Sequence, residues 1–238
     1  MIGPIWQVIS RHIGKTNAVR QGPRIELLCR HHKIKKEQFL ELKAQALFPS
    51  VVWGTVFDDH VALNKELLAL AYALRAKDAR GVSRTNVAGW QSNNILQELP
   101  EFAQINQRIL QACERIAESQ HFMPGLTFDH QAWVNISPPG ASNQVHFHAN
   151  CYFSGVYYIS LDAPKCGSLF FRDPRTASRM MPYPTTKQTS FTATEIKMPP
   201  EPGRLYIFPG WLEHGVETNQ SASDRVSISF NVTARVKN

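Results

Sequence analysis

Beyond Gly125 the chain is written in short segments: FDHQAWVNIS, VYYISL, GSLFFRD, TEIKM, GRLYIFPGW and RVSISFNV. Each is rich in β-branched and aromatic residues, and turn chemistry such as Pro138-Pro139-Gly140, Pro199-Pro200 and Pro202-Gly203 separates them. Parallel neighbours need a crossover of a dozen or more residues, usually a helix, and no helical pattern lies between these segments. The arrangement therefore predicts an antiparallel sandwich or barrel rather than a parallel α/β sheet.

Helical periodicity is confined to the part before Gly125. Leu63, Leu67, Leu70 and Leu74 recur at helical spacing after Asp58 and Asp59, either of which can cap the helix, and Gly81 is a natural stop. Phe102, Ile105, Ile109, Ala112 and Ile116 make a second apolar stripe between Pro100 and Pro124-Gly125. The expected fold is thus α+β and mainly β: helices over about 58–120 packed against a jelly-roll barrel over about 126–238.

The 238 residues carry a formal net charge of +7, and its location decides what it means. Residues 1–45 hold nine Lys or Arg against three acids, while the remainder, with 17 basic and 16 acidic residues, is nearly neutral. The only boundary that composition suggests falls there, dividing a basic extension, 1–45, from a single domain, 46–238. RHHKIKKEQF lacks interleaved aromatics, so a solvated arm is the commoner meaning and nucleic acid is not the expected partner. A reading in which this arm is the working part, with the barrel as its scaffold, stays open.

Cys29, Cys113, Cys151 and Cys166 show no paired spacing, which points to reduced thiols in a cytoplasmic protein. No apolar run approaches the roughly 20 residues of a membrane span, so no membrane partner is expected. Assembly is left open, a homodimer being one option.

The histidines carry the chemistry. In NQVHFHANCYFSGVYYI, residues 143–159, His146 and His148 point to the same side of an extended segment, and no carboxylate occurs between Asp129 and Asp162. His214 follows the segment GRLYIF, in a loop that returns towards the sheet. Imidazole suits iron, zinc, copper and nickel, and three protein ligands leave coordination positions open. Surface or core histidines are the plain alternative. In RVSISFNV, Arg225, Ser227, Ser229 and Asn231 alternate with Val226, Ile228, Phe230 and Val232. A polar face turned into a barrel lumen would offer Arg225 as a planar fork for a carboxylate; turned to water it would mean nothing in particular.

In this order and spacing HFHANCYFSGVYYI, GSLFFRDPR, PGRLYIFPGWLEHGV and RVSISFNV resemble the iron(II)- and 2-oxoglutarate-dependent oxygenases. With GWQS at 89–92 and the LFPSVVW opening, they look most like a mostly microbial and phage subgroup. The resemblance runs from about Leu47 to Val232. It implies a double-stranded β-helix, Fe(II) as metal, 2-oxoglutarate as small-molecule cosubstrate and O2 as oxidant, with substrate hydroxylation as the default outcome. Carried over by position, His146 and His214 match metal ligands. Arg225 matches the residue that pairs with the far carboxylate of 2-oxoglutarate, Ser227 its hydroxyl companion, and Tyr158 or Tyr157 a further hydrogen-bond donor.

His148 departs from the general pattern of that superfamily, which has Asp or Glu there. The close subgroup also carries histidine, so His148 is expected as the third ligand, with water or another anion as the alternative. The primary substrate is not legible. Gln91 and Ser92, with Trp90 in a loop between the helices, Arg172 near the rim, and Trp211, which could equally pack, are candidates for contacting it, while Trp53 and Trp133 read as core or boundary. The competing function is a cupin-like three-histidine metal protein that makes no use of 2-oxoglutarate.

Overall fold

The computed structural model describes residues 42–236, and the chain divides between Gln45 and Ala46. The basic extension therefore lies almost wholly outside the described residues. Every described strand and helix belongs to the second unit.

Among the described residues eleven strands and three α-helices follow one another. They are β1 (Trp53–Val56), α1 (His60–Lys77), β2 (Asn86–Val87), β3 (Trp90–Gln91), α2 (Ala103–Ser119), β4 (Leu126–Ser137), β5 (Ser142–His146), β6 (Phe153–Ser160) and β7 (Leu169–Arg172). After these come α3 (Thr176–Met180), β8 (Glu195–Met198), β9 (Arg204–Pro209), β10 (His214–Val216) and β11 (Arg225–Val236). Two sheets result, in the orders β1-β9-β6-β11-β4-β3 and β2-β5-β10-β7-β8, and every pairing is antiparallel. From β4 onward the chain crosses from one sheet to the other at nearly every step, which winds eight strands into a double-stranded β-helix. The three short strands before β4 only extend the sheets.

The long strand β11 explains why the six-stranded sheet has two different faces. Its apolar set, Val226, Ile228, Phe230 and Val232, joins Ala132, Val134 and Ile136 of β4 and Phe153, Tyr157 and Ile159 of β6 in one core, which Leu63, Leu67 and Ala71 of α1 and Ile105, Ile109 and Cys113 of α2 cover. A second core lies between the sheets and includes Val156, Tyr158, Leu169, Phe171, Tyr206 and Phe208. The period of two makes one face a floor for helices and the other a barrel wall. Asn64 locks α1 to β6: its Nδ2 donates to the Ile159 carbonyl at 2.8 Å, and the Tyr157 hydroxyl donates to its Oδ1 at 2.7 Å.

Local details differ from the expectations in three places. Asp59 precedes α1 but makes no side-chain cap; Arg108 of α2 takes its carboxylate through two bonds of 2.6 and 2.5 Å, so a tertiary ion pair wins over the local cap. That helix ends at Asp78 rather than Gly81. Gly81 instead sits at φ +60°, where a Cβ would come within 2.4 Å of the Gln91 carbonyl. Finally, GWQS is not a loop: Trp90 and Gln91 form β3 and pair with Ile136 and Asn135 of β4.

Candidate metal centre and its cavity

Strand pairing brings the three histidines together. His146 at the end of β5 lies directly opposite His214 at the start of β10. His148 comes two residues later, anchored by its N–H donating to the Gly210 carbonyl at 2.8 Å. One nitrogen from each ring can be chosen so that all lie within 4.8 Å of one another, and the ring centroids are 4.4 to 5.2 Å apart. Phe208, 4.6 Å from the His214 ring, and Trp133, 6.4 Å from that of His148, wall the cluster.

The donor set fits a divalent metal. Burial, with a smaller contribution from the neighbouring imidazoles, pushes His214 down to about 3 and His148 down to about 4, and burial lowers His146 as well. All three are therefore neutral near pH 7, the state a metal requires. The Nδ1 hydrogens of His146 and His214 are donated to the carbonyls of Gln144 and Leu212, at 2.7 and 2.8 Å, which leaves each Nε2 lone pair free. His148 is set differently. Its Nδ1 lies 3.1 Å from the Asn231 amide, which in turn accepts from the Ser154 hydroxyl at 2.8 Å. In this orientation the amide N–H faces Nδ1 and places the imidazole proton on Nε2; with the amide turned over, its oxygen accepts from Nδ1–H and Nε2 is free to bind.

A cavity of about 310 Å³ runs inward from this cluster. Arg225, Ser227, Ser229 and Asn231 all line it, so the polar face of β11 looks into the barrel and not into water. Arg225 is 3% exposed, and its Nη1 donates to the carbonyls of Cys166 and Glu217. Gly167 makes that anchor possible: it sits at φ +82°, and a Cβ there would lie 2.4 Å from the Glu217 carbonyl. Among the described residues no carboxylate pairs with Arg225. A buried guanidinium facing a cavity without a counter-charge is costly, and a dicarboxylate that reaches it fits the site.

The two tyrosines separate cleanly. Tyr158 lines the cavity, fully buried, with its hydroxyl pKa raised by burial, while Tyr157 faces α1 and is engaged with Asn64. The residues singled out at the rim do not all arrive there. Gln91 is buried and lines the cavity. The Ser92 hydroxyl is occupied structurally, accepting from the Val134 N–H at 3.0 Å and donating to the Asn93 carbonyl at 2.8 Å. Arg172 is exposed at the end of β7, on the face opposite Phe171, which packs in the second core. Trp211 is 54% exposed. Trp133, read as core or boundary, stands in the cavity wall, as do Asn135 of the same strand face and Arg84, Asn94 and Asn143 towards the mouth. Alternation along FDHQAWVNIS puts Trp133 and Asn135 on one face and could have signalled the pair; nothing in the sequence marks Arg84.

Residues 131–231 match the family described as "Putative 2OG-Fe(II) oxygenase", a stretch that runs from β4 through the polar face of β11. No curated protein matches the chain. Among solved structures it resembles a prolyl-4-hydroxylase from Pseudomonas putida at 19% identity and TM-score 0.53, over 78% of this chain and 94% of that one. It also resembles the non-heme α-ketoglutarate-dependent carbocyclase SnoK of nogalamycin biosynthesis, at 12% identity and TM-score 0.59, over 79% and 82% of the two chains. The epimerase SnoN in complex with Fe3+, α-ketoglutarate and nogalamycin RO gives 16%, 0.53, 79% and 82%. At these identities the likeness is one of fold.

Proposed function

We infer that this chain, whose residues 131–231 match the 2OG-Fe(II) oxygenase family, is an Fe(II)- and 2-oxoglutarate-dependent oxygenase that hydroxylates its substrate. The observation that carries the reading is the pairing of two features in one cavity: three neutral histidines at one end and a buried guanidinium without a carboxylate partner at the other. His146, His148 and His214 are the residues that would hold Fe(II). Arg225, with Ser227 and the Tyr158 hydroxyl, would hold the far carboxylate of 2-oxoglutarate by charge-assisted hydrogen bonds. With O2, bound iron and 2-oxoglutarate supply the oxidising power that converts C–H to C–OH, with release of succinate and CO2.

The chain's own task is placement and exclusion. Arg225 is held by two carbonyls and cannot swing, so an anion bound there is aimed along the cavity towards the histidines. Phe208 and Trp133 wall the cavity beside the histidines and would keep water from a metal held there. Of the four residues singled out for substrate contact, Gln91 in the cavity lining is best placed to meet substrate, and Arg172, Ser92 and Trp211 keep an indirect part. The three described cysteines are free, which supports a reducing, cytoplasmic setting.

A second reading follows from His148 itself: three imidazoles without a carboxylate also suit a metal protein that makes no use of 2-oxoglutarate. One experiment separates the two. Anaerobic addition of Fe(II) and then 2-oxoglutarate is expected to produce the visible absorption of an iron-chelated keto acid, and Arg225→Met is expected to abolish it while metal content is retained. Metal binding with no such absorption in the wild type would favour the second reading.

A further inference from the structure

Two arginines face the cavity and no acid does. Arg225 is buried and so marks the closed end, while Arg84 is exposed and so marks the mouth; the rest of the polar lining is histidine, amide and hydroxyl, with neither Asp nor Glu among the described residues. Part of this is written in the chain, which has no carboxylate between Asp129 and Asp162. The rest is tertiary. Glu213, next to His214, accepts from Arg179 at 2.6 Å; Glu217 pairs with Lys197 and accepts from the Ser168 N–H; Asp173 is held by Arg175 at 2.8 Å.

Arg84 is placed by main-chain and side-chain bonds at the edge of β5. The Gln144 N–H donates to the Thr85 carbonyl at 2.8 Å, Asn86 stands opposite Asn143, and the Arg84 N–H donates to the Asn86 side chain at 2.7 Å. Its backbone is therefore pinned beside the strand that carries His146. Among the described residues no carboxylate pairs with its guanidinium.

The charge balance follows from the proposed function, on which this inference rests. A divalent metal and a dianionic cosubstrate cancel. Arg225 then leaves one positive charge, and His148, standing where related sites have a carboxylate, does nothing to remove it. Arg84 adds a second at the mouth. Low-dielectric walls concentrate such a field, so the loaded cavity attracts anions and repels cations. The cavity is also small, at the lower end of ligand pockets, so a small molecule suits it better than a bulky one.

We propose that the primary substrate is a small anion, bearing a carboxylate or a phosphate, and that Arg84 binds that group at the cavity mouth. The amides of Asn94 and Asn143 provide neutral donors beside it, and the Trp133 ring an apolar wall for the part to be oxidised. Arg84 is in this sense a specificity-determining residue.

The test uses the whole chain loaded with Fe(II) and 2-oxoglutarate under nitrogen, so that nothing turns over. Four probes of similar length are titrated by calorimetry: butyrate, propyl phosphate, butyramide and butylammonium. At least one anion is expected to bind about tenfold or more tighter than butyramide, a difference of about 1.4 kcal/mol, with butylammonium weakest. Arg84→Gln should erase the preference and Arg84→Lys restore most of it, both leaving the iron–keto acid absorption unchanged. Which anion binds tighter assigns the group. Equal binding of anion and cation, an anion preference that survives Arg84→Gln, or anions that merely displace 2-oxoglutarate would each overturn the proposal. Absence of the absorption before any probe is added would instead count against the oxygenase reading, so the two failures are distinct.

Discussion

Single residues set what the metal site can bind, and His148 is the most informative. Its neighbours His146 and His214 have their tautomers dictated by backbone carbonyls, whereas His148 depends on an amide that can present either face. Asn231→Leu removes the acceptor and is expected to weaken Co(II) or Fe(II) binding by about 10- to 100-fold, the usual cost of losing a partner behind a metal ligand. Asn231→Asp, which can only accept, should bind metal at least as well as wild type; metal titration of both variants checks this. The same histidines govern acid stability. In the unfolded chain they take up protons as pH falls through about 6.5, while in the folded, metal-free protein His148 and His214 resist until about 4 and about 3. The unfolded state binds more protons across that window, so metal-free stability should be full above about pH 6.5 and fall steadily below it. Thermal melts of the metal-free protein against pH would show it, and His148→Phe should flatten the slope.

Elements decide where those residues point. The β11 strand is legible in the sequence as a two-residue alternation, yet alternation cannot say whether its polar side meets water or a lumen. Pairing with β4 on one side and β6 on the other, with helices over its apolar face, leaves the lumen as the remaining side. The buried turn at Gly167 matters because it brings the Cys166 and Glu217 carbonyls to the Arg225 guanidinium. Gly167→Ala puts a Cβ where a carbonyl is and a side chain at positive φ, at a cost of about 1–3 kcal/mol. Weaker 2-oxoglutarate binding with unchanged metal affinity is the expected result; equal loss of both would mean that the turn supports the whole barrel. On the other face, Asn64→Leu strips the partners of the Tyr157 hydroxyl and the Ile159 carbonyl, and should lower the midpoint of urea unfolding by an amount worth about 1–3 kcal/mol.

For the whole molecule, every described residue that lines the cavity or its two cores lies in the second unit, from Val52 onward. A chain beginning at Ala46 is therefore expected to fold, bind metal and bind 2-oxoglutarate as the full chain does; loss of either would give residues 1–45 a part in the site. The architecture class was legible without coordinates, because the switch from helical to two-residue periodicity at Gly125 is a local signal. So were the histidines and Arg225, since a period of two places His146 beside His148, and Arg225 on the polar side of its strand. Three placements were not legible. GWQS became a strand because β4 offers a free edge, Trp133 became cavity wall because its strand's face turns inward, and Arg84 came to the mouth through bonds to a strand some sixty positions away. By itself the sequence determined which residues share a face, because that depends on backbone period alone. Only the tertiary structure decided which face encloses the cavity and which charges meet there, because long-range pairing and burial place those groups and no local pattern encodes them.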